Sequence, residues 1–174
     1  MTEEIDTALA ILKRAMQVEQ EGHEFYMKVA QTTQDEKGQK TFRVLASDEE
    51  NHLRLIKRQH DALTSESMWI SSPEVKPVQI DLDKPLFPEG KEALDKTVTA
   101  KSSDSDALLF GLDIEAKSFD MYHRAAVETA DALGKAMFEF MAGEEKGHFD
   151  ILMMRSEYLV RSMGWSALKG VIAE

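Results

Sequence analysis

Apolar residues recur at helical spacing along four stretches of the chain, and polar punctuation separates them. Ile5, Ala8, Leu12, Ala15, Glu19, Gly22, Tyr26 and Val29 fall on one stripe in steps of three and four, which predicts a helix over 5–30. Phe42, Leu45, Ala46, Leu53 and Ile56 predict a second helix over 40–60, and the same period returns over 105–128 and 132–162. All four prolines (Pro73, Pro77, Pro85, Pro88) fall in a linker assigned to 61–104. The breaks around Gly38 and Gly134 are short, so each helix pair is expected to form an antiparallel hairpin.

The second hairpin repeats the first at a constant offset of 96 residues. Leu12, Glu19, Tyr26, Ala30, Thr33, Asp35, Gly38, Phe42, Ala46, Glu49 and His52 meet Leu108, Glu115, Tyr122, Ala126, Thr129, Asp131, Gly134, Phe138, Ala142, Glu145 and His148. These are eleven identities in the forty-seven ungapped pairs from 10/106 to 56/152. Ordinary composition gives about three, so the spacing points to an internal duplication. A linker of this length can run along a bundle, since extended chain covers roughly 3.3 Å per residue. The expected architecture is one domain over 1–174, an all-α, ferritin-like four-helix bundle. Hairpins 5–60 and 105–162 build it, the crossover 61–104 joins them, and a tail over 163–174 follows. Trp69 and Phe87 are expected to anchor the linker, and Trp165, Leu168 and Val171 to pack the tail on the bundle or on another subunit.

The informative residues are the polar ones that fall on apolar stripes. Glu19 and Tyr26 are seven residues apart and share the inward face of the first helix, and Glu115 and Tyr122 repeat them. Glu49 and His52, three apart, project together from the second helix, as do Glu145 and His148 from the fourth. Four carboxylates and two imidazoles therefore point into a bundle interior, where unpaired charge is prohibitive. Lys13, Arg14, Lys28, Arg43, Arg54, Lys117 and Lys146 are all predicted to face outward, so no nearby cation neutralises them. Two divalent ions would balance the four negative charges. Carboxylate and imidazole without sulfur favour iron or manganese over copper or structural zinc.

The neighbours of this set divide into two groups. Tyr26 and Tyr122 are either core tyrosines or hydroxyl donors to a carboxylate from the other hairpin, two readings that overlap. Asp48 and Glu144 are placed where they can orient the histidines. Glu21 and Glu50, with Glu144, rotate off the inward face, and His23, His60 and His123 fall at the surface or rim.

Charge and composition then narrow the function. Acidic residues number 32 against 21 basic, a formal net charge of −11, which disfavours nucleic acid and anionic membrane surfaces as partners. Cysteine is absent, which removes disulfides, thiolate metal sites and Cys nucleophiles. No leader-like pattern or long uncharged apolar run stands out, so the expectation is a soluble cytoplasmic protein.

VEQEGHEFY at 18–26, DEENH at 48–52, DIEAKSFDMY at 113–122 and EEKGH at 144–148 resemble the rubrerythrin-like branch of the ferritin-like superfamily. The resemblance covers both hairpins. It implies Glu19, Glu49, His52, Glu115, Glu145 and His148 as ligands of a non-haem di-iron centre, with Glu49 and Glu145 bridging. It also implies reduction of hydrogen peroxide; by residue size, the small Gly22 and Ser118 would leave room beside the metals for peroxide or O2. Rubrerythrins take electrons from a four-cysteine rubredoxin domain. This chain has no cysteine, so the donor would be a separate protein such as a rubredoxin. Rubrerythrins also carry a further Glu one turn after the third-helix ligand, where this chain has Ser118. The remaining six-ligand set equally resembles bacterioferritin, and the alternative is a ferritin-type ferroxidase or iron-storage protein. A homodimer or higher homo-oligomer is expected in either case.

Overall fold

A computed structural model describes residues 3–33, 35–71 and 102–172, with side chains over 4–33, 35–71 and 107–159. It contains helices α1 (Glu3–Thr32), α2 (Glu36–Glu66), α3 (Ser102–Glu128) and α4 (Ala132–Ile172). All four predicted helices are present, and each is longer than its apolar stripe. The largest difference is at the end of α4. The segment expected to be a separate tail from 163 continues the helix to Ile172. Gly164 and Gly170 do not stop it, because glycine costs a helix only about 1 kcal/mol where proline costs about 3, and α4 has no proline. The side chains of Trp165, Leu168 and Val171 lie outside the described set.

Both hairpin turns use the same chemistry. Asp35 caps α2 by accepting the Gly38 N–H at 2.7 Å, and Asp131 accepts from Leu133 and Gly134 at 2.8 and 3.0 Å. Such caps contribute about 1 kcal/mol each. The two glycines are there for close approach. A Cβ at Gly38 would lie 2.8 Å from the Thr33 methyl, and one at Gly134 the same distance from the Thr129 methyl. At its other end α2 closes on Ser67, which adopts a left-handed φ of 55° while its N–H returns to the Leu63 carbonyl at 3.1 Å. Trp69 anchors the start of the linker as expected, edge-on to Phe138 at 5.5 Å. Gln59 holds the Ile70 backbone on both sides. The four prolines and Phe87 lie outside the described residues.

α1 packs on α2 and α3 on α4, and the hairpins join through α1 against α3 and α2 against α4. The core divides into two apolar layers. In one, Leu12 from the first half of α1 meets Tyr122 and Ala125 from the end of α3, with Leu55, Ile56, Leu63, Met137, Phe138 and Met141 around them. In the other, Tyr26 from the second half of α1 meets Leu108 from the start of α3, among Phe42, Leu45, Ile151 and Leu152. α1 and α3 therefore run antiparallel, and the duplicated residues exchange places between the layers: Leu12 for Leu108, Tyr26 for Tyr122, Phe42 for Phe138. Each fully buried large side chain contributes roughly 1.5–3 kcal/mol, so the fold is held by these two ends. Between them lies a layer of carboxylates. Among the described residues no helix is long and apolar enough to cross a membrane.

Candidate metal centre

Each helix contributes to the middle layer at the position where its inward stripe passes the bundle centre. α1 supplies Glu19, α2 Glu49 and His52, α3 Glu115, and α4 Glu145 and His148; none of the six exceeds 4% exposure. The seven basic residues expected to face outward are all exposed. Among the described residues, the ion-pair contacts of the four carboxylates run only to the two histidines.

The imidazoles lie near the centre, with ring centroids 5.4 Å apart and planes 24° from parallel. His52 turns Nδ1 toward Glu19 and Glu49, each at 3.3 Å, and Glu145 at 3.6 Å. His148 turns Nδ1 toward Glu49 at 3.2 Å and Glu115 at 3.7 Å. Two groups of four result, each with its donor atoms within 4.8 Å of one another: Glu19, Glu49, His52 and Glu145, and Glu49, Glu115, Glu145 and His148. Glu49 and Glu145 belong to both.

The tyrosines cross between the hairpins. The Tyr26 hydroxyl donates to Glu115 Oε1, and the Tyr122 hydroxyl donates to Glu19 Oε1. One oxygen of each outer carboxylate is thereby fixed while its other oxygen faces inward. Glu19 Oε2 and Glu115 Oε2, with Glu145 Oε1 and His148 Nδ1, are among the buried side-chain atoms without a hydrogen-bond partner. Buried polar atoms are rarely left in this state, because each costs about 1–3 kcal/mol. Here four belong to the two groups just described, all lone-pair donors, and this is an arrangement that cations would complete.

The electrostatics agree. Burial, and then the Glu49 charge, push Glu19 up to about 8 from an ordinary 4.5. Burial and the charges of Glu19, Glu49 and Glu115 push Glu145 well above the usual carboxylate range. Burial works on Glu49 in the same direction, yet the Glu19 carboxyl and the two histidines hold it below that range. Burial works against protonation of His52 and His148, but the carboxylates around them override it and raise both. By itself the chain stabilises this layer by holding protons, and divalent cations would replace them.

The surroundings hold one residue outside the sequence expectation. Gly22 lies against Glu49, whose Cδ would be 3.5 Å from a Cβ there, an ordinary contact, and Ser118 is buried. Arg155 is a buried cation that sequence reasoning passed over. It lies on the inward stripe of α4 at 1% exposure, two turns beyond His148, and pairs with Asp35 at 2.7 Å rather than with the centre. Its position seven residues after His148 was the available signal. Of the remaining histidines, His23 is half-buried and donates from Nδ1 to the Ala46 carbonyl at 2.7 Å, while His60 lies at the rim and His123 is exposed. Glu21 and Glu50 are exposed as expected.

No curated protein and no solved structure matches the chain. The family model described as Rubrerythrin matches residues 10–156, a span that contains both hairpins and all six converging side chains. The chain belongs to the rubrerythrin family.

Proposed function

We propose that this protein is a non-haem di-iron oxidoreductase that reduces hydrogen peroxide, or O2, with electrons from a separate donor protein such as a rubredoxin. The observation that carries the reading is the pair of four-residue groups sharing Glu49 and Glu145. Glu19 and His52 would hold one ion, Glu115 and His148 the other, and Glu49 and Glu145 both. Manganese suits the same donors. When bound, a ferrous pair supplies Lewis acidity and two electrons for O–O cleavage, and the overall reaction H2O2 + 2 e⁻ + 2 H⁺ → 2 H2O balances.

The chain's own contribution is placement. Tyr26 and Tyr122 hold Glu115 and Glu19 from across the bundle, so neither outer carboxylate can swing away without breaking a buried hydrogen bond. Burial and the neighbouring carboxylates push both phenols well above their ordinary value, which keeps each hydroxyl protonated as a donor. The apolar layers on either side exclude bulk water from the donors. Stopped-flow mixing of the anaerobic, ferrous-loaded protein with hydrogen peroxide tests the reading. Oxidation is expected at least about tenfold faster than for free ferrous iron; a rate equal to that of the free ion contradicts it.

One observation favours a second reading. Gly22 and Ser118 occupy both positions where a seventh carboxylate would make the centre unsymmetrical. A symmetric six-ligand site also suits a ferroxidase that passes ferric iron into a protein shell. Storage requires a hollow assembly of many copies, so a mass in solution of a monomer or dimer removes it.

A further inference from the structure

The duplication supplies an internal comparison for the outside of the bundle as well as for its centre. Among the described residues, α3 carries four of the eight exposed large apolar side chains, Leu109, Phe110, Phe119 and Val127. Their repeat mates on α1 are Lys13, Arg14, His23 and Gln31, so one outer face is polar in the first copy and apolar in the second. Single apolar residues at a surface are ordinary, but a cluster on one helix face marks an interaction surface. Both aromatic rings are already braced. Phe110 stands edge-on to Phe25 at 5.0 Å, and Phe119 stacks on His123 at 5.7 Å. Anchors ordered before association lose little freedom when they are covered.

The charges on this face indicate what covers it. Phe110, Asp113, Lys117, Asp120, Arg124 and Val127 are all exposed and alternate in steps of three and four, the seam spacing of helices that pair at a crossing angle of about 20°. Their order is apolar, acid, base, acid, base, apolar, and it is complementary to its own reverse. With a two-fold axis between positions 118 and 119, Phe110 lies opposite Val127 of a second copy, Asp113 opposite its Arg124 and Lys117 opposite its Asp120. The mates on α1 fail the same test, because the axis there would set Glu21 against Glu24 of the second copy. Within α3, Asp113 pairs with Lys117 and Asp120 with Arg124, so the seam is neutral on a chain of net charge −11. Two such acidic molecules can meet on it without the repulsion that their other charges impose.

We propose that α3 is the contact surface of a homodimer, lying antiparallel to α3 of a second copy. The four charged residues fix the register, since exposed ion pairs contribute specificity more than affinity. Leu109, Phe110, Phe119 and Val127 supply the apolar burial. The proposal goes beyond the oxidoreductase reading and stands apart from it, because no residue of the seam belongs to the centre. From Phe110 to Val127 the seam is about 26 Å long at 1.5 Å per residue. One helix face of that length falls short of the roughly 800 Å² per partner of a standard interface, so the dimer dissociates on dilution.

Sedimentation velocity over a dilution series tests it, with circular dichroism to check that each variant stays helical; every substituted side chain is exposed. Wild type should pass from dimer to monomer as it is diluted. Lys117→Asp sets like charges across the axis and should raise the dissociation constant at least about tenfold. Lys117→Asp/Asp120→Lys restores opposite charges between the copies, although not within α3, and should recover most of the affinity. Glu21→Lys, at the repeat mate of Lys117, is the control and should stay within about twofold of wild type. A chain that is monomeric at every concentration overturns the proposal and leaves the face to the linker or to another protein. A dimer that Lys117→Asp does not weaken, or that the double variant does not recover, overturns it equally. The register has its own test, because the chain has no cysteine. In Phe110→Cys/Val127→Cys the two thiols are too far apart to join within one chain. Mild oxidation should link position 110 of one copy to position 127 of the other, and links of 110 to 110 or 127 to 127 would refute the antiparallel pairing.

Discussion

At the scale of single residues, the centre exchanges stability for chemistry, and the exchange depends on pH. Glu19 binds its proton far more tightly in the folded chain than in the unfolded one, with a value of about 8 against 4.5. Its contribution to stability is therefore fully present below pH 4.5 and lost as pH rises through about 8. The raised values of Glu145, His52 and His148 act with the same sign. Glu49, whose value is lowered, acts oppositely, but only as pH falls below the usual carboxylate range. Metal-free protein should therefore melt about 5–10 °C lower at pH 8 than at pH 5, a shift of a few kcal/mol in a chain of this size. Saturating Mn2+ or Fe2+ should recover most of it at pH 8, since a ligand at one hundred times its dissociation constant stabilises by about 2.7 kcal/mol. Glu19→Gln separates the two roles. It should raise the melting midpoint of the metal-free protein at pH 8 and shrink the rise that metal produces. A variant melting lower than wild type in both forms would mean that Glu19 serves packing alone.

At the scale of helices, glycines of one type play opposite parts. Gly38 supports the first turn of α2, and a Cβ there would fall 2.6 Å from Arg155 Nη2 as well as against Thr33. Gly147 is exposed on the outer face of α4, with nothing within 4 Å of a Cβ. Urea unfolding should show Gly38→Ala destabilising by about 1–3 kcal/mol and Gly147→Ala stabilising by about 0.5–1 kcal/mol. Equal effects at the two sites would contradict the packing described. The helices and the turns between them were legible in the sequence because period and glycine agree in both copies, whereas the Asp35 and Asp131 caps emerge from the structure. The reach of α4 to Ile172 was not, because its pattern weakens after 162 although nothing stops the helix. Arg155 was missed for a related reason. Its repeat mate is Gln59, which holds the linker backbone, so the duplication that exposed the six central residues was silent there.

At the scale of the molecule, duplication brings two copies of one carboxylate and imidazole set together in the middle of the bundle, in groups that could hold metal ions. Two copies of a hairpin, packed with α1 antiparallel to α3, place every duplicated residue on the far side of an approximate two-fold axis. Tyr26 and Tyr122 then hold each other's partner carboxylates, and the apolar ends carry a middle layer that would not be stable alone. The convergence was legible in the sequence because charged residues on an apolar stripe conflict with burial, and the conflict occurs twice. The central claim, that doubly charged ions neutralise this layer, is tested most directly by elemental analysis of protein freshly purified after iron-replete growth, with folding checked by circular dichroism. Wild-type protein should carry about two iron or manganese ions per chain, and a folded Glu49→Ala/Glu145→Ala double variant fewer than about 0.2. A fully helical wild-type protein that carries no metal and takes up none when Fe2+ or Mn2+ is added would contradict the claim.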